Sequence, residues 1–315
     1  PSGSGPCRFG QYNVLQRMIL ANAGFPDVPI YSFVQDKRMY TELGELGKAF
    51  PKFFWRGLVA IDLLTKCLHE TRPYERDPGG ADELYADALD RLRRELGRRD
   101  ARLPALLADI RREFADLPRR LETRPLIGIV GEIFVRSNVF SNENLVRGVE
   151  ALGGQAWLAP IDEWVYYVNW CSRMNARESR DLRALFQVRV KSAIQARIAH
   201  AMEQAMDGYL KTIHDPDTAT VLRYAAPYLH DSFRGEAVLS VGKAIDMISR
   251  GVSGIINAMP FGCMPGTIVT SLLRKLTEEF DVPCISIPYD GTDSTTMRLQ
   301  LEAFMEQATT RGREV

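Results

Sequence analysis

Two cysteines stand where a sulfur atom could do chemistry. Cys7 opens an amphipathic segment in Gly5-Pro-Cys-Arg-Phe-Gly-Gln-Tyr12 with Arg8 beside it, and Cys263 lies in Phe261-Gly-Cys-Met-Pro-Gly266, between an apolar run and a helical one. A thiol at a helix N-terminus beside a cation is favoured as the thiolate, the form that attacks electrophiles and binds metals. Flanking glycines such as Gly262 would let a bulky group approach the backbone. Cys67, Cys171 and Cys284 fall in apolar surroundings, where a cysteine behaves as a small hydrophobe. For Cys7 and Cys263 the pattern alone leaves packing and function evenly open.

A nucleophilic cysteine needs a base, normally histidine, oriented by a carboxylate. His69, His200, His214 and His230 all fall in helical or inter-helical stretches, away from the strand ends. A thiolate bound to iron needs only deprotonation and a dry pocket, so the pattern favours a cluster over a hydrolase. Among the carboxylates, Glu132 follows an apolar strand and faces a helix N-terminus, a reasonable position for an acid/base or ligand-orienting group. Glu75 in Arg-Pro-Tyr-Glu and the pair Asp162-Glu163 are further candidates, whereas Asp290 and Asp293 read as turn or capping residues. Arg8, Arg72 and Arg136 could bind phosphate or serve as surface ion pairs. With neither a Walker loop nor a G-x-G-x-x-G after a strand, standard ATP or NAD binding is not expected. The lack of any C-x-x-C removes zinc ribbons and thioredoxin-like motifs.

Two stretches of about 35 residues must position these groups, and each reads as strand, loop, helix, strand. Leu126–Val130 is a buried-type strand, followed by a loop over Gly131–Ser141, a helix over Asn142–Leu152 and a strand over Gln155–Pro160. Gly254–Ala258, Met259–Gly266, Thr267–Phe280 and Val282–Pro288 repeat the layout. Such units form parallel crossovers, and ligands then sit outside the carboxyl ends of the strands. That rule assigns Gly131-Glu132-Ile133 and Gly262-Cys263-Met264 to the ligand-facing edge.

Elsewhere helical periodicity covers Phe9–Ala23, Phe53–Leu68, Ala81–Leu96, Pro104–Leu121, Glu163–Tyr228 with a break at His214-Asp-Pro216, and Thr295–Ala308, while Val28–Val34 reads as a strand. The expected fold class is α/β, with parallel-sheet Rossmann or flavodoxin-like βαβ units and a large helical share. Residues 1–122 are expected as a mostly helical segment with one strand, completing an upstream α/β domain. Residues 123–315 are expected as an α/β domain with two βαβ units and a helical insertion.

Composition sets the outer bounds. The 315 residues carry 40 Lys plus Arg against 40 Asp plus Glu, so bulk charge draws the chain to neither nucleic acid nor an anionic membrane. At 45% hydrophobic and 25% charged it can bury a full core, and no apolar run is long enough for a membrane span. Five widely spaced cysteines argue against a disulfide framework and for a reducing, cytoplasmic setting. The opening Pro-Ser-Gly-Ser-Gly lacks the pattern of a signal peptide and reads as the cut edge of a longer chain.

At these residues the chain resembles the iron–sulfur components of 2-hydroxyacyl-CoA dehydratases, in the form found at the C-terminal end of large CoA-substrate-specific enzyme activases. The resemblance rests on Gly5–Tyr12, Trp55-Arg-Gly-Leu-Val-Ala-Ile-Asp62, Arg72-Pro-Tyr-Glu75, Gly128–Arg136, Glu163-Trp164, Gly262-Cys-Met-Pro265, Val282–Asp290 and Arg298–Phe304, and covers nearly the whole chain. It implies a [4Fe-4S] or double-cubane cluster held by three cysteines per subunit. Cys7 matches the middle ligand and Cys263 the last, with Arg8 and Gly262 beside them; the first ligand falls on an upstream segment absent here, which leaves a cluster short of one ligand in this fragment. It further implies electrons delivered by an ATP-hydrolysing activator, one-electron reduction of a bound substrate with Glu132 as the catalytic carboxylate, and a homo- or heterodimer. A non-catalytic docking or regulatory module of a CoA-enzyme activase is the alternative, and a Cys-dependent acyl-transfer enzyme a third reading.

Overall fold

The structure is a computed structural model that describes residues 11–30, 45–98, 101–292 and 295–314. Two compact units divide the chain, Pro1–Trp55 and Arg56–Val315. In the first, helix α1 (Tyr12–Asn22) is closed by Gly24 at φ 86°, with the Phe25 N–H bonded to the Leu20 carbonyl at 2.8 Å. This is the left-handed glycine stop that lets the chain fold back over the last carbonyls. Cys7 and Arg8 lie outside the described residues, as does most of the strand expected over Val28–Val34; the part within them, Val28–Ile30, is not a strand.

Helix α2 (Glu45–Thr71) runs past the division and leads through Arg72–Tyr74 to α3 (Gly80–Leu96) and α4 (Leu103–Asp116). The sheet and its helices follow as β1 (Leu126–Gly131), α5 (Ile133–Ser137), α6 (Leu145–Ala151), β2 (Gln155–Leu158), α7 (Asp162–Glu178), α8 (Leu182–Ala205), α9 (Thr218–Ala225), α10 (Glu236–Ser249), β3 (Gly254–Pro260), α11 (Met264–Phe280), β4 (Cys284–Tyr289) and α12 (Thr295–Glu314).

All four strands are parallel, in the order β2-β1-β3-β4, with Ile129 opposite both Leu158 and Ile256. The two expected βαβ units are both present. They step in opposite directions from the centre, β1 outward to β2 and β3 outward to β4. Crossovers of one hand then force their helices onto opposite faces. Leu145 and Val149 of α6 accordingly pack with Phe304 and Met305 of α12 over Ile127, Ile129 and Ile256, while Val269 and Leu273 of α11 pack with α10 over Val130 and Ile255. Burial on both faces is why β1 and β3 read as unbroken apolar runs.

Helix α10 has no counterpart among the expected elements. Every residue from Ala237 to Met247 is buried, so this stretch of the helix presents no polar stripe to solvent. It lies tightly against its neighbours: a Cβ on Gly128 would stand 2.7 Å from the Met247 sulfur, and one on Gly242 would stand 2.1 Å from the Val221 carbonyl oxygen.

A helical layer completes the second unit, with Leu64 and Cys67 of α2, Leu92 of α3, Leu107 and Phe114 of α4 and Met202 of α8 all buried. Polar contacts bind this layer to the sheet domain across Glu122–Pro125, where a domain boundary is expected from sequence. Arg72 grips Glu150 with Nε and Nη2 at 2.7 and 2.9 Å, and the Tyr74 hydroxyl donates to Gln155 at 2.6 Å. No helix among the described residues is long and apolar enough to cross a membrane.

Candidate functional site

The order in which strands are laid down reverses between β1 and β3, so their carboxyl ends flank the crevice where open α/β sheets bind ligands. Both loops assigned to the ligand edge from sequence arrive there. Gly131 ends β1 at φ 119°, and a Cβ on it would lie 2.1 Å from the Ala258 carbonyl oxygen, so only glycine lets the two strands close at this point. The Glu132 N–H continues the ladder to that carbonyl at 2.9 Å. Beyond β3, Gly262 takes φ 68° and hands the chain to Cys263, the N-cap residue of α11, with Pro265 in the first turn. Asn257 fixes this turn from within the sheet, donating to the Gly266 carbonyl at 3.2 Å and to the Ser286 hydroxyl at 3.0 Å.

Glu132 caps α5: its carboxylate accepts the N–H groups of Phe134 at 3.2 Å and Val135 at 2.8 Å. Arg136, only 3% exposed, reaches back from that helix to the carbonyls of Gly131 and Pro160 and to Glu163 at 2.6 Å. Glu236, at the start of α10, faces the same spot and accepts the Ile133 N–H at 3.4 Å. Burial, then the charge of Glu132, push the Glu236 carboxyl up to about 7. A carboxyl poised near neutrality at a strand-end crevice suits general acid–base work. Sequence reasoning misses Glu236, because it opens a helix with no counterpart among the expected elements.

Cys263 is half-buried at the crevice, while the other described cysteines sit elsewhere. Cys67 is fully buried against Met206, and burial pushes its thiol far up; burial likewise pushes Cys284 up to about 11 and raises Cys171. All three behave as the packing residues the sequence suggests. Among the described residues no group of three or more His, Cys, Asp and Glu side chains converges to hold a metal ion. The remaining sequence candidates resolve as structure. Glu75 accepts the Gly79 and Ala81 N–H groups at the start of α3, and Asp290 accepts the Thr292 N–H and hydroxyl in a tight turn; Asp293 lies outside the described residues.

A second polar centre lies between α2 and the edge strand β2, around a cavity of about 390 Å³ lined by Asp62, Lys66, His69, Arg72, Arg136 and Arg147 among others. Burial drives its titrations apart. It pushes Asp62 up to about 6 although Asp62 accepts the Asp162 N–H at 2.9 Å, and burial with the charge of Asp62 raises Asp162 well above the carboxylate range. Burial, with Arg72 and Arg147, pushes His69 down to about 3, so its imidazole is neutral. Behind the cavity Asp215 joins two lysines from different helices. Lys66 Nζ lies 2.5 Å from one carboxylate oxygen, and Lys243, 1% exposed, binds the other as well as Asp246 at 3.2 Å. Burial opposes the Asp215 charge, but the two ammonium groups hold it well below the usual carboxylate range. The sequence reading sets His69 aside as a helical residue; its signal is the polar series Asp62, Thr65, Lys66 and His69, which falls on one face of α2 and is continued by Arg72 just past its end. Against this geometry, no protein-family model, no curated protein and no solved structure matches the chain.

Proposed function

We propose that this chain is an iron–sulfur electron-transfer or reductase component, related to the 2-hydroxyacyl-CoA dehydratases. In this reading Cys263 supplies one thiolate and Cys7, by the sequence resemblance, a second. The observation that carries the reading is the position of Cys263: a half-buried thiol opening α11 at the carboxyl end of β3, beside the end of β1, where the sheet changes direction. A [4Fe-4S] or double-cubane cluster would supply low-potential electrons one at a time, delivered to it by an ATP-hydrolysing partner. The chain's own groups do the rest. Gly262, in a left-handed turn, leads the chain into Cys263, and the Glu132 carboxylate holds the α5 N-terminus at the opposite lip. Glu236, pushed up to about 7, is the group best suited to give or take a proton there. A dimeric assembly and a cytoplasmic setting belong to the same proposal.

Anaerobic reconstitution with iron and sulfide tests it, read by iron content, visible absorbance and EPR. Wild type and Cys284→Ser are expected to load alike, and Cys263→Ser and Cys7→Ser to lose the signal. Equal iron in all four proteins would refute the reading.

A further inference from the structure

We propose that the cavity between α2 and β2 is a binding site for a small organic anion that carries a hydrogen-bond donor at its far end. This inference stands apart from the cluster reading, which uses none of its groups except Arg136.

The cavity, at about 390 Å³, falls within the range of small-molecule sites. Its wall carries polar groups that the fold does not use. His69 is 8% exposed and lines the cavity with no hydrogen-bond partner among the described residues, while Arg136 Nε and Ser137 Oγ are buried without one. An acceptor entering the cavity would give the His69 ring the hydrogen bond it lacks. Arg147 is half-exposed at the rim and gives only Nη2 to Asp82, at 2.5 Å.

Polarity runs along the helix. Asp62 and His69 are seven residues apart on one face of α2, roughly 10 Å at the helical rise. At the His69 end stand Arg72 and Arg147. The acids there are already engaged, since Glu150 takes both arms of Arg72 and Asp82 is shared between the two guanidinium groups. Burial, and then the charges of Arg72 and Arg147, keep His69 neutral. A neutral imidazole with nothing bound can donate to an anionic oxygen. At the other end, Asp62 and the Thr65–Tyr85 hydroxyl pair, 3.1 Å apart, offer acceptors to a hydroxyl or ammonium group, beside Lys66, whose own ammonium is taken up by Asp215 and the Thr212 carbonyl. The complementary ligand has a carboxylate or phosphate at one end and a donor at the other.

His69 is the one buried histidine of four, so imidazole nitrogen NMR on the full chain reads the cavity directly, with His69→Gln identifying its signal. The probes are 4-aminobutyrate, succinate, inorganic phosphate and butylamine. Expected is a saturable shift of the His69 signal alone with 4-aminobutyrate, at about tenfold lower concentration than with succinate or phosphate and absent with butylamine. Arg147→Gln should weaken that binding about tenfold and Arg197→Gln, on the exposed face of α8, should not. No saturable shift with any probe, or equal weakening by both arginine variants, would overturn the site. Succinate binding as well as 4-aminobutyrate would overturn the donor end of the assignment.

Discussion

Replacing Asp215 by Asn removes one charge, almost no volume, and the only carboxylate shared by Lys66 and Lys243. In the native chain Lys66 also donates to the Thr212 carbonyl at 2.8 Å, and Lys243 keeps Asp246 at 3.2 Å, so neither loses every partner. Both lose their strongest one, in surroundings where Lys243 is 1% exposed. Breaking a buried pair by deleting one partner costs about 3–5 kcal/mol, because the charge left behind stays desolvated. For a unit of this size that is a fall in Tm of about 10 °C. Urea unfolding followed by circular dichroism, with unchanged m-values, gives the free energy directly. The pH dependence fixes the cause. Asp215 is depressed in the folded state, so its contribution is complete above the unfolded value of 3.8 and is lost as pH falls toward the folded one. The gap between wild type and variant should therefore hold from neutrality down to about pH 5 and narrow below about pH 4. Adding Lys66→Met to Asp215→Asn should recover part of the loss, since one stranded charge leaves with it. A variant within 1 kcal/mol of wild type at pH 7, or a gap that does not narrow in acid, would show that the two lysines are not held by this carboxylate.

Other substitutions probe the remaining features. Asp62 is pushed up from 3.8 to about 6, so the folded state holds its proton more tightly and stability falls as pH rises through that interval, by at most about 3 kcal/mol. Asp62→Asn keeps an acceptor for the Asp162 N–H and should be the more stable protein at pH 8 but not at pH 4; parallel pH curves would contradict this. Gly242→Ala forces a methyl group against the Val221 carbonyl and should cost about 3 kcal/mol in chemical denaturation, with a neutral result meaning that α9 and α10 are farther apart. Glu132→Ala should cost about 1 kcal/mol through the lost cap and lower the pKa of Glu236, followed by carboxyl carbon NMR; a Glu236 value still near 7 would mean the two acids do not face each other.

The elements that announce themselves in the sequence are those with a period or a stop. Leu126–Val130 and Gly254–Ala258 are bounded by glycine and loop residues and appear as parallel neighbours, and α3 begins one residue before its expected start, where Gly79 bends the chain. Helix α10 is hidden for the opposite reason: Ala237–Met247 is buried throughout, and Lys243 and Asp246 within it pair with each other. The crevice was legible because a strand-end rule locates it from chain order, which is how Glu132 and Cys263 are found. The cavity was not, since Asp62 and His69 on α2 meet Arg136 and Trp157 across long stretches of chain, and no local pattern encodes that meeting. Arg72 and Arg136, read as separate phosphate or surface residues, line one cavity and are both tied into ion pairs.

Asp215 sits in the loop where His214-Asp-Pro216 interrupts the helical stretch, yet it clamps a lysine from the outer helical layer to one from the helix lying on the sheet. Peeling the outer layer away would pull Lys66 from Asp215 and break a shared ion-pair cluster before any of the sheet had opened. Partial opening is thereby penalised, and the amide protons of α2 and α10 should exchange with solvent at a common free energy, as one cooperative unit rather than two shells.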